Sequence, residues 1–146
     1  MALETGIYGG SVCLLNNGRV VSGWIGRSDQ TKSKDFLESI KGVLQGAQFG
    51  IREIDEIVIS TGPGSYTGLR VGYSIAKGLK AALGINIKGV SLLDGMLKSM
   101  RPITLAALPF SKTEVCWKVR EDEKNNSFLS EKLPNFTSHI DFVDII

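Results

Sequence analysis

Histidine occurs once, at His139, and cysteine twice, at Cys13 and Cys116, so the usual metal-binding and nucleophilic side chains are scarce. One histidine excludes a two-histidine metal site, and the cysteines have no CxxC spacing. Each lies in a β-like stretch, where a small buried thiol packs as a hydrophobe; two reduced thiols are expected rather than a disulfide. Neither charge sign dominates. The 17 Lys and Arg against 15 Asp and Glu leave a net charge of +2, too small to argue for nucleic-acid or membrane binding from bulk charge. The cations are also scattered. No apolar run approaches membrane-spanning length, and the first residues do not read as a leader, so a cytoplasmic protein is expected. No GxSxG elbow occurs either, and no convincing catalytic set emerges.

What is present is an alternation of β-like and helical segments. Asn16-Asn17-Gly18 between residues 11–15 and 19–25 is a strong hairpin signal. Only Met1-Ala2-Leu3 precede Glu4-Thr5-Gly6, so any strand there is short. Phe36, Leu37, Ile40, Val43, Leu44 and Ala47 form the stripe of an amphipathic helix, with Ser33 as its cap and Gly50 as its stop. Residues 54–60 read as a buried strand, 68–83 as a second helix ending at Gly84, and 85–90 as a short buried strand. Ser91-Leu92-Leu93-Asp94 opens a short helix that Pro102 ends. A hairpin is expected from 103–108 and 113–120, then a polar loop over 121–127 and a β-like stretch at 140–146. This order predicts an α/β, ribonuclease-H-like fold with a mixed five-stranded sheet, dividing into residues 1–94 and 95–146.

The segment joining the buried strand to the second helix is richest in glycine. Gly62, Pro63, Gly64, Ser65, Thr67 and Gly68 form a tight turn at a helix N-terminus, where free N–H groups can hold an anion. Walker A spacing fails because no Gly-Lys-Ser/Thr follows Gly62, and the Rossmann fingerprint fails because Thr67 stands where its third glycine belongs. A structural turn is therefore expected, with Pro63 fixing φ, Gly62 and Gly64 in conformations costly for other residues, and Ser65 or Thr67 as the cap. Arg70 in the first helical turn opposes the helix dipole, which favours an internal ion pair over anion binding. Gly72 and Ala76 make a small-residue face on this helix beside Tyr73, Lys77 and Lys80, while Val71, Ile75, Leu79 and Ala82/Leu83 form its core stripe. That face packs either on the chain's own first helix or on another subunit. Glu4-Thr5-Gly6 reads as a surface turn, with a metal-bound phosphate as the alternative.

The run Thr-Gly-Pro-Gly-Ser-Tyr-Thr-Gly-Leu-Arg-Val-Gly over 61–72 resembles the TsaB (YeaZ) family. So do Ala-Lys-Gly-Leu-Lys-Ala-Ala-Leu-Gly-Ile over 76–85 and Gly-Val-Ser-Leu-Leu-Asp over 89–94. Family members are non-catalytic subunits of the bacterial machinery that makes threonylcarbamoyladenosine on tRNA. The resemblance implies an actin-like (ASKHA) lobe followed by a shortened second lobe. It implies a scaffold without turnover, binding a TsaD-type catalytic subunit through its first two helices, with Phe36, Ile40, Val43, Leu44, Leu69, Gly72, Tyr73, Ala76 and Lys80 at the interface. A homodimer forms when that partner is absent. A TsaE-type ATPase joins through the complex, tRNA is met only indirectly, and no membrane is involved. No cofactor is required, and ATP binds only within a complex. The family's glycoprotease (M22 peptidase) label finds no supporting residues here. Three departures stand out: Glu4-Thr5-Gly6 replaces Asp-Thr-Ser, Lys32-Ser33 replaces His-Ser, and the second lobe is short. The alternatives are a small ATP-dependent phosphotransferase or ATPase of the same superfamily, and a self-associating paralogue with no role in tRNA modification.

Overall fold

The computed structural model describes residues 1–7, 9–26, 33–99, 105–109, 114–119 and 129–132. These fall into two units, Met1–Ser91 and Leu92–Ile146, with the division three residues before the 94/95 boundary expected from the sequence. Lys32, His139, the loop at 121–127 and the stretch at 140–146 lie outside the described residues.

The first unit is built on a sheet of order β3-β2-β1-β4-β5. Its strands are β1 (Ala2–Glu4), β2 (Ser11–Asn16), β3 (Arg19–Ile25), β4 (Glu56–Ser60) and β5 (Asn86–Val90). β1, β2 and β3 pair antiparallel, whereas β4 runs parallel to both β1 and β5, giving the mixed sheet expected. Asn17 (φ 50°) and Gly18 (φ 75°) supply the two positive φ angles of a tight hairpin turn between β2 and β3. β1 is only three residues long, yet it is the central strand.

Strand alternation decides what is buried. Leu3, Val12, Leu14, Ile57 and Ile59 join one core, which α1 (Ser33–Gly46) covers with Phe36, Ile40, Val43 and Leu44. Phe36, Leu14, Ile57 and Val12 are almost wholly buried, each contributing about 1.5–3 kcal/mol by leaving water. Trp24 meets Phe36 edge to face, with ring centroids 6.0 Å apart. α2 (Tyr66–Leu83) lays Ala76 fully into the same core, with Ile75, Leu79 and Leu83 partly buried against it, while Ala82 faces outward. α2 stops where Gly84 turns left-handed at φ 73° and its N–H bonds back to the Lys80 carbonyl.

One expectation about this sheet fails. Residues 85–90 read as a buried strand, but β5 is an edge strand whose burial is largely confined to Ile85, just before it, and to half-buried Ile87. Lys88, paired with Glu56 at 2.7 Å, stands on that edge and discourages further strand addition.

In the second unit, β6 (Leu105–Pro109), β7 (Glu114–Val119) and β8 (Leu129–Lys132) form an antiparallel sheet. α3 (Leu92–Ser99) buries Leu93 and Leu97 against Ala106 and Cys116. Lys118 Nζ donates to Asp94 Oδ1 at 2.5 Å, tying α3 to β7. No disulfide joins Cys13, which is half-buried, to the buried Cys116.

Candidate functional site

The glycine turn folds onto the end of β1. The Ser65 N–H donates to the Gly6 carbonyl at 2.7 Å, and a Cβ on Gly64 would lie 2.9 Å from the Gly6 Cα. A Cβ on Gly68 would strike the Thr5 carbonyl oxygen, and one on Gly72 the Thr5 hydroxyl. Thr5-Gly6 therefore sits against the first turns of α2, where only glycine leaves room. Thr5 is 5% exposed and Gly6 is buried, so this is an internal seam and not the surface turn expected.

The turn's own bonds follow the same inward pattern. Ser65 caps α2 by accepting from the Gly68 N–H at 3.3 Å, as expected for one of its two candidate caps. Gly62 adopts φ 97°, which a side chain would resist, and the Gly62–Pro63 bond is cis. Gly64 differs from expectation: its φ is ordinary, and its small size matters because the Gly6 backbone is so close. Thr67 is exposed.

Glu4 supplies a carboxylate at the same junction. Its Oε1 accepts from the Gly6 N–H at 2.5 Å and its Oε2 from the Ile7 N–H at 3.2 Å. Successive amides aimed at one point make an anion-binding nest, and here the chain fills it with its own negative charge. Burial raises the Glu4 pKa above its ordinary value, and the amide bonds from Gly6 and Ile7 oppose that rise. An open hollow of about 690 Å³ lies alongside, lined by Glu4, Ile7, Cys13, Val20 and Ile25 among others.

Most of the expected interface residues are not on the surface. Phe36, Ile40, Val43 and Leu44 are at most 5% exposed because they cover the chain's own sheet. Gly72 faces Thr5, Ala76 is wholly buried, and Leu69 lies half-buried with its methyls toward Gly6 and Gly62. The small-residue face of α2 therefore meets β1 and the sheet core. Tyr73 and Lys80 remain exposed. The outward positions that do leave open space beside the helix are Gly42 on α1 and Gly78 on α2, with Leu37 43% exposed on α1.

Arg70 also departs from expectation. No ion pair involves it among the described residues; its guanidinium lies 4.9 Å from the Tyr66 ring centroid. Lys77 stands likewise 5.5 Å from the Tyr73 centroid. Tyr66 and Lys77, which complete these two ring–cation contacts, were not among the expected site residues. The signal available was the i, i+4 spacing of each tyrosine and its cation on a helix that has no acid.

The family described as "TsaD: tRNA N6-adenosine threonylcarbamoyltransferase" matches residues 28–112. "tRNA threonylcarbamoyladenosine biosynthesis protein TsaB" of Bacillus subtilis is 30% identical over 101 residues, covering 69% of this chain and 44% of that protein. The chain belongs to the TsaB (YeaZ) family. The Haemophilus influenzae TsaB is 32% identical over 100 residues, covering 68% of this chain and 42% of that one. This TsaB-family chain thus matches less than half the length of each of these two relatives. The solved structure "YeaZ from Pseudomonas aeruginosa" superposes with a TM-score of 0.75 at 24% identity, over 88% of this chain and 65% of that one. That agreement in fold bears out the α/β lobe with a mixed five-stranded sheet that was expected. No helix among the described residues is long and apolar enough to cross a membrane.

Proposed function

We propose that this chain is a non-catalytic subunit of tRNA N6-threonylcarbamoyladenosine biosynthesis, docking a TsaD-type catalytic subunit in the cytoplasm. The observation that carries the reading is the closed junction of β1, the glycine turn and α2. The Glu4 carboxylate occupies the amides of Gly6 and Ile7, and the turn bonds inward to β1. A phosphate entering there would meet a carboxylate, and like charges at that distance repel strongly in a partly buried site. This disfavours a phosphotransferase or ATPase acting alone; ATP, and a TsaE-type ATPase, belong to the complex. The docking surface is the outward face of α1 and α2, around Leu37, Gly42 and Gly78, where open space admits another backbone. In the absence of the partner the same faces pair two copies.

Co-purification with a TsaD-type protein tests this. Leu37→Glu and Gly78→Arg lie on the outside and are expected to abolish the complex while leaving the circular dichroism spectrum unchanged. Retention of the complex by both variants would refute the assigned surface. Mg-ATP at millimolar concentration is expected to give no heat of binding with the chain alone, and saturable heat would restore the phosphotransferase reading.

A further inference from the structure

The outward half of α2 carries a second strip beside the small residues. Tyr66, Arg70, Tyr73, Lys77 and Lys80 recur at alternating steps of four and three, which sets all five along one line of the helix. All five are exposed, Tyr66 at 72% and Tyr73 at 52%. α2 contains no aspartate or glutamate, and none of the three cations pairs with a carboxylate among the described residues. Arg70 is the fifth residue of α2, just past its first turn, and no carboxylate on its own helix offsets its charge. Its stacking on Tyr66, and that of Lys77 near Tyr73, holds the two cations beside the rings.

We propose that this strip is a contact surface for single-stranded RNA, with Arg70, Lys77 and Lys80 meeting phosphates and Tyr66 and Tyr73 offering rings to bases. One-sign charge along a line, interleaved with exposed aromatics, is the arrangement that binds single-stranded nucleic acid. A packed partner helix fits less well, because three cations on the seam would have to be stripped of water. RNA phosphates stay hydrated and accept them without that cost. The inference is independent of the partner subunit assigned above, and it gives the chain a direct contact with RNA in place of an indirect one.

The test is fluorescence anisotropy of a labelled 20-nucleotide oligouridylate with the whole chain alone. Three phosphates neutralised on a single strand give a log–log salt slope of about −2. Arg70→Gln, Lys77→Gln and Lys80→Gln together are expected to bring that slope close to zero. Tyr73→Ala is expected to weaken binding about fivefold or more through lost stacking. Lys41→Gln with Arg52→Gln, both exposed and off the strip, serves as the control and is expected to leave binding within twofold. Equal losses in the control and the triple variant, or no binding at 50 mM salt, overturn the proposal. So does tighter binding of a polyglutamate peptide than of the RNA, which would assign the strip to an acidic protein.

Discussion

Replacing Gly68 by alanine places a methyl group against the Thr5 carbonyl oxygen, with the Thr5 carbonyl carbon at 3.0 Å and the Gly6 Cα at 3.3 Å. All three neighbours are backbone atoms of the segment leaving the central strand, so no side chain can rotate away. Overpacking of this kind costs up to about 3 kcal/mol. Alanine gains about 1 kcal/mol over glycine in a helix, leaving a net loss of about 2 kcal/mol. Gly78 lies ten residues along the same helix with no atom within 4 Å of its Cβ position. There the same substitution meets no opposition and is expected to stabilise by about 0.5–1 kcal/mol. The two variants should therefore differ by about 3 kcal/mol with opposite signs. Urea unfolding followed by Trp24 emission, in a Trp117→Phe background, reads the first unit alone. Equal slopes with midpoints shifted in opposite directions are expected. A Gly68→Ala midpoint at or above that of the parent would show that β1 does not sit on α2 as described.

Ser65→Ala removes the N-cap that accepts from Gly68 and should cost about 1 kcal/mol in the same assay, while Ser65→Gly should cost only a few tenths. The Glu4 pKa is raised, so between its ordinary value of 4.5 and the raised folded value the folded state binds more protons than the unfolded state. Stability should then fall as pH rises through that window. Urea midpoints measured from pH 4 to 7 should show this fall in the parent and a flatter profile in Glu4→Gln; superimposable profiles would remove Glu4 from the account.

Much of the fold was legible because its signals are local. Asn17-Gly18 specifies a turn by backbone conformation alone, and the 36/40/43/44 stripe specifies a helix with one buried face. The run over 61–72, together with those at 76–85 and 89–94, was sufficient to place the chain in its family. What the stripes could not say was which neighbour they bury against. Phe36, Ile40, Val43 and Leu44 would look the same in sequence whether they covered the chain's own sheet or another subunit, since apolar periodicity records burial and not its partner. Gly72 and Ala76 posed the same ambiguity. Only the placement of Thr5 beneath α2 resolved it.

Glu4 and Arg70 mark the division most clearly. Composition and spacing determined that the chain has few catalytic side chains, a glycine turn at a helix start, and an arginine close to that start. The tertiary structure decided what each of these meets. β1 is three residues long, yet parallel pairing with β4 carries its end onto the glycine turn. Beside it, the Glu4 carboxylate occupies the amides of Gly6 and Ile7, two and three residues further along its own chain. Side-chain type and period are properties of the chain, whereas the closure of the glycine turn onto the end of β1 depends on Ser65 and Gly6, about sixty residues apart, being brought within bonding distance.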